Sequence, residues 1–314
     1  MADINILKSV LITILISLLG ACAVEKIEVI NLTALDSLGW QADAEYEFSK
    51  PFGMVIFAGE LYLLDQGMSR IGVYDVDDMS FRRFIGNKGK GPGEFEMPLS
   101  LTITSDSVLI VNDLGNRRLQ YLGLEGEFLA SRPSENLWML DYCNSVLSGN
   151  AFPFYPDPGI YSIYQDSLSL EYCPRHLYQK TDEDDAFKNY YTYTMQENSC
   201  LIAFMMRVEA YLVNLDNPDD QLKLDLSGCQ KTGRAVRLAG GFLLPVQYGN
   251  DNEAADPITE LHLFDPSGKI TQKFRLQGNR NYFLEGAAVC DGYFYIFDMF
   301  DCLVFKYKLP IRSV

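Results

Sequence analysis

The chain has 314 residues, 48% of them hydrophobic and 13% aromatic, and carries a formal charge of −16. It can bury a substantial core, and its acidity repels phosphate backbones and anionic headgroups, which argues against nucleic acid as a partner. No Pro/Ser-rich linker divides it, so a single large domain is expected.

Taken from the N-terminus, Asp3 and Lys8 precede an apolar run over residues 10–19 and the sequence Leu18-Leu19-Gly20-Ala21-Cys22. That run is well short of the roughly twenty apolar residues that span a bilayer, so residues 1–21 read as a signal peptide. The small residues before Cys22 resemble the lipobox of bacterial lipoproteins. That resemblance implies lipidation of Cys22, membrane contact by an acyl anchor only, and an address in the cell envelope, facing the periplasm or the outer membrane. Residues 22–49 are expected to form a tether and a ring-closing strand, and residues 50–314 the main domain.

The lone strand 26–32 comes first. Residues 53–57, 60–65, 70–74 and 81–85 then form four short runs of strand character with Asp77-Asp78 at a turn. After them come Gly86, Gly89, Gly91-Pro92-Gly93, Phe95 and Pro98, the strand ending at Asn112-Asp113, and Asn116-Arg117-Arg118-Leu119-Gln120-Tyr121. This stretch resembles one complete NHL repeat, the blade unit of a class of β-propellers, and with its N-terminus the chain is similar to six-bladed propeller lipoproteins of Bacteroidota.

The resemblance implies copies at a fixed period. Asp65 and Asp113 close matched strands 48 residues apart, and Asp298 follows after four further steps of about 46. Further strands are expected at 137–140, 145–148, 161–165 and 168–171; at 190–195, 201–205, 210–215 and 221–226; at 235–238, 242–247, 261–264 and 270–275; and at 284–289, 292–297 and 303–308. The last group is one strand short, an open edge that strand 26–32 can fill. The expected fold is all-β: a six-bladed β-propeller of four-stranded antiparallel blades, its ring closed by an N-terminal strand.

Candidate chemistry is sparse. The Gly86–Gly93 loop lacks a Gly-Lys-Ser/Thr ending and leads into a strand, so it reads as a crossing between blades rather than a phosphate loop. The six cysteines beyond Cys22 form no Cys-x-x-Cys motif and are expected as free thiols. Only His176 and His262 are present, too few for the several channel histidines of propeller lyases. The acidic run 182–185 lacks calcium-loop spacing and reads as a solvated connection. The loop Phe152 to Pro158 places aromatic rings on a proline-stiffened support.

These readings point to a non-catalytic envelope propeller without a cofactor. It is expected to bind a protein partner or extracellular ligand at the channel mouth formed by the loops after each second strand. The mouth residues are Asp65, Arg70, Asp113, Asn116, Arg117, Phe152, Tyr155, Asp298 and Asp301. The alternative, by resemblance to calcium-dependent lactonase propellers, is a hydrolase with one calcium ion held by Asp65, Asp113, Asn116 and Asp298.

Overall fold

In five of the six blades the second strand is apolar on both faces, the exception being Val146–Ala151 with buried Ser148 and Asn150, and the computed structural model shows why. In the strand Glu60–Asp65, Leu61 and Leu63 face one neighbouring blade while Tyr62 and Leu64 face the other. Leu201 and Ala203 are divided in the same way from Cys200, Ile202 and Phe204. A strand sandwiched between two sheets buries both sides of its pleat, so alternation selects the seam rather than separating core from water.

The structure describes residues 27–39, 48–134, 137–151, 159–164, 167–178, 188–249, 257–278, 282–298 and 301–311. Cys22, Phe152, Tyr155 and the acidic run 182–185 lie outside them. Two N-terminal strands, β1 (Val29–Leu32) and β2 (Ala34–Gly39), precede six sheets. Blade one holds β3 (Pro51–Phe57), β4 (Glu60–Asp65), β5 (Arg70–Asp75) and β6 (Phe81–Ile85). Blade two holds β7 (Pro98–Ile103), β8 (Leu109–Asp113), β9 (Arg118–Leu122) and β10 (Phe128–Pro133). Blade three holds β11 (Leu137–Cys143), β12 (Val146–Ala151), β13 (Ile160–Tyr164) and β14 (Ser167–Tyr172). Blade four holds β15 (Tyr191–Gln196), β16 (Ser199–Phe204), β17 (Glu209–Asn214) and β18 (Gln221–Lys223).

In blade five the innermost strand is broken into β19 (Lys231–Thr232) and β20 (Val236–Leu238), both paired with β21 (Gly241–Tyr248), and β22 (Ile258–Phe264) and β23 (Ile270–Leu276) follow. Blade six holds β24 (Tyr282–Cys290), β25 (Tyr293–Asp298) and β26 (Leu303–Lys308). The fold is the expected all-β propeller of six antiparallel blades. Its six apolar clusters occupy the six seams between adjacent blades, the last joining blade six to blade one.

Ring closure differs from the expectation in one respect. The strand that completes blade six is β2, antiparallel to β26, whereas β1 lies parallel on the outer edge of β23 in blade five. The N-terminal arm therefore straps two blades together. Leu32 enters the seam beside Leu276, Tyr282 and Phe305, the Leu32 carbonyl accepts from Gln277 N at 2.9 Å, and Thr33 Oγ1 donates to Gln277 Oε1 at 2.6 Å. Two edges that would otherwise stand open are covered.

The six cysteines in the described residues are free. The glycine-rich crossing is tied to blade two: Asn116 Nδ2 donates to Gly89 O, Arg118 Nη2 to Gly91 O, and Gly93 N to Gln120 Oε1. Gly86 adopts φ +73°, and a Cβ there would stand 2.2 Å from the Phe95 ring, so the crossing requires glycine on both counts.

His262, 1% exposed on β22, meets Tyr248 Oη at 3.2 Å and Glu260 Oε2 at 3.2 Å, with Phe264 beside its ring. Burial holds its pKa below the usual 6.5 and Lys273 adds to this, while Glu260 and Asp225 oppose it.

Two outcomes follow from these contacts. Leu32→Ala should cost about 2–5 kcal/mol, read from the urea midpoint, because a buried leucine leaves a cavity in the closing seam. Because the unfolded chain takes up the His262 proton before the folded chain does, stability should fall as pH drops below about 6.5, by at most about 1.4 kcal/mol per pH unit. His262→Gln should flatten that slope in urea titrations at stepped pH.

Candidate functional site

The innermost strands β3, β7, β11, β15, β20 and β24 contact one another in sequence and line a central channel. Each begins at the end of the ring where the second strand finishes, as the pairs Pro51 with Asp65 and Pro98 with Asp113 show. That end is the expected mouth.

At the mouth the matched aspartates accept hydrogen bonds from neighbouring backbone and side chains. Asp65 accepts from Ser49 N at 2.8 Å, Lys50 N at 2.9 Å and Met68 N at 3.1 Å. Asp113, fully buried, accepts from Glu96 N at 2.7 Å, Asn116 Nδ2 at 2.9 Å, Arg118 Nε at 2.8 Å and Gln120 Nε2 at 3.2 Å. Asp298 accepts from Asp301 N at 3.2 Å, and Asp301 itself is exposed. In blades one and two, each carboxylate thus ties the turn after the second strand to the segment that enters the first. Arg117 is exposed, and Arg70 lies over the Phe84 ring, 3.7 Å from its centroid, on the outer half of blade one. Asp65, Asp113 and Asp298 stand in three different blades, and among the described residues no group of three or more His, Cys, Asp or Glu side chains is placed to hold a metal ion. The donor set Asp65, Asp113, Asn116 and Asp298 does not fit a single calcium ion.

Just inside the mouth lies a row of aromatic rings. Phe52 of blade one meets Trp138 of blade three edge to face at 6.3 Å, and Trp138 meets Tyr190, next to β15, at 5.6 Å with a 2.6 Å hydrogen bond from Nε1 to the Tyr190 hydroxyl. Lys50 Nζ lies 5.8 Å from the Phe52 centroid. These rings reach from blade one past blade two to blades three and four, across that end of the channel.

Deeper in the channel is a cavity of about 200 Å³ walled by all six innermost strands. Its charged lining among the described residues is Asp141, Arg234 and Arg237. Arg237 reaches from blade five past β15 to blade three, where Nη1 and Nη2 donate to Asp141 Oδ2 at 2.8 Å and Oδ1 at 2.9 Å. The same guanidinium donates to Met195 O at 2.8 Å and Tyr142 O at 3.0 Å, and Met195 N donates to Asp141 Oδ2 at 3.1 Å. Arg234 Nη2 donates to Leu140 O at 3.0 Å and stands 3.4 Å from Asp141 Oδ1. Burial works against the Arg237 charge, but Asp141 outweighs it and holds the Arg237 pKa above its usual value. Burial, with Asp141 adding, also pushes the Tyr193 phenol far above the ordinary tyrosine range.

A second hollow of about 690 Å³ lies between blades five and six, at the turns joining first and second strands, and shares Arg237 and Val289 with the channel cavity. His262 and His176 line neither; His176 is exposed, with Nε2 3.0 Å from Gln221 Oε1.

The sequence reading did not find the Asp141 cluster. Its signal is a charge inside an otherwise apolar strand: Asp141 within Leu-Trp-Met-Leu-Asp-Tyr-Cys, and Arg234 and Arg237 within Arg-Ala-Val-Arg-Leu.

No family model matches this sequence, and no curated protein does. Solved structures match in fold. A DUF4221 family member from Bacteroides vulgatus is 12% identical, with a TM-score of 0.65 over 90% of this chain and 98% of that one. A Bacteroides fragilis protein named for its predicted export is 14% identical, with a TM-score of 0.58 over 89% of this chain and 99% of that one. A catalytically inactive His-to-Ala variant of virginiamycin B lyase from Staphylococcus aureus, solved with quinupristin, is 10% identical, with a TM-score of 0.54 over 92% of this chain and 97% of that one. The chain is a six-bladed propeller whose fold resembles these proteins.

Proposed function

We propose that this chain is a non-catalytic cell-envelope propeller, anchored through a lipid on Cys22, that binds a ligand inside its channel rather than at the loop-lined mouth. The observation that carries this reading is the cavity of about 200 Å³ with Asp141, Arg234 and Arg237 on its wall. A buried ion pair is costly to desolvate and is often replaceable by apolar side chains without loss of stability, so its presence at a hollow speaks for binding. The mouth carboxylates, by contrast, are taken up by their own turns.

Lyase chemistry finds little support. The virginiamycin B lyase variant named as inactive lacks one histidine, whereas neither histidine of this chain lines the channel cavity. The envelope address agrees with the export named for the Bacteroides fragilis neighbour.

Two experiments test the proposal. Cys22→Ser should move the protein from the membrane fraction to the soluble fraction of its host; retention in the membrane would remove the anchor. In ligand-observed NMR with a mixed panel of neutral, cationic and anionic fragments, Ala288→Leu, which narrows the cavity, should weaken the hits by about tenfold or more, while Arg117→Ala at the mouth should leave them unchanged. Hits that persist in Ala288→Leu would place binding elsewhere.

A further inference from the structure

We infer that the ligand of this channel is a small monocarboxylic acid with an apolar body, its carboxylate seated on Arg234; the inference rests on the channel reading above. Three observations lead there. The first is charge. Two guanidiniums face one carboxylate in the cavity wall among the described residues, so one positive charge is unmatched, in a chain whose overall charge is −16. The acidic exterior does not cancel this attraction, because charges in water are screened over about 8 Å at physiological salt whereas a contact in a partly dry channel is not.

The second is the division of labour between the arginines. Arg237 spends both terminal nitrogens on Asp141, Met195 O and Tyr142 O. Arg234 uses only Nη2, toward Leu140 O and Asp141, which leaves Nε and Nη1 without a protein acceptor among the described residues. Nε and Nη1 lie on opposite sides of the guanidinium, so each offers a single charge-assisted donor to a carboxylate oxygen of a ligand.

The third is the wall. Val55, Leu101, Leu140, Val236 and Ala288 supply apolar surface, and the volume of about 200 Å³ suits a compact ligand. One negative charge neutralises the cluster. A phosphate dianion would overshoot it and repel Asp141 at short range, so the carboxylate is favoured over phosphate.

The test uses the purified chain with butyrate, benzoate, butyramide, butylamine and inorganic phosphate, read by thermal shift and calorimetry. Butyrate or benzoate should bind saturably and about tenfold or more tighter than butyramide, butylamine or phosphate. Arg234→Gln should bring acid and amide to equal affinity, while Arg234→Lys, which keeps the charge, should retain the preference for acid. Butyramide binding as tightly as butyrate, with both lost in Ala288→Leu, would overturn the carboxylate assignment and leave the channel reading standing. Acid binding that survives both Arg234→Gln and Ala288→Leu would overturn both, and binding of none of the five compounds would overturn the present inference.

Discussion

The structure depends on one constraint: the middle strands, apart from β12, feed two apolar seams at once. A four-stranded sheet with two greasy faces is unstable alone, and it becomes stable only when each face meets a neighbour. Six such sheets satisfy one another only in a closed ring, and a ring built from a single chain needs its ends to meet in one seam. That is the task of the N-terminal arm. Because β2 completes blade six while β1 clasps blade five, the last seam is held by backbone pairing on two blades and by Leu32 between them.

The same constraint decides where polar groups can stand. Strand interiors are committed to the seams, so carboxylates such as Asp65 and Asp113 sit at strand ends, where unpaired backbone N–H groups need acceptors. Lys306 is an exception that shows the rule: buried between blades six and one, its ammonium donates to Val76 O and Asp77 O and lies over the Tyr293 ring. Its role as a clamp between blades accounts for its burial. The Asp141 cluster also joins blades, yet it does so across a hollow, where apolar packing would close the ring as well.

The blades were largely legible in the sequence because their signals are local. The glycines from Gly86 to Gly93, the alternating runs and the recurring aspartates all lie within one repeat length. The closing strand was less so. Residues 26–32, Lys-Ile-Glu-Val-Ile-Asn-Leu, alternate well and invite the role, whereas Ala34–Gly39 reads Ala-Leu-Asp-Ser-Leu-Gly and barely alternates. Pattern reports strand character but not which edge a strand joins. The channel cluster was illegible for a related reason: Asp141 and Arg237 are 96 positions apart and meet only because the ring brings blade five within reach of blade three past β15.

The two ends of the channel are therefore unequal. The longer connections between strands fall at the end where second strands finish, and just inside that end the rings of Phe52, Trp138 and Tyr190 pack edge to face. At the other end the turns are short, and the hollow between blades five and six meets the inner cavity at Arg237 and Val289. Leu238, Leu309 and Lys308 line that hollow together with Arg237. Arg237, which stands on both walls, is held by Asp141, so the ion pair that joins blades three and five also lies where the two hollows adjoin.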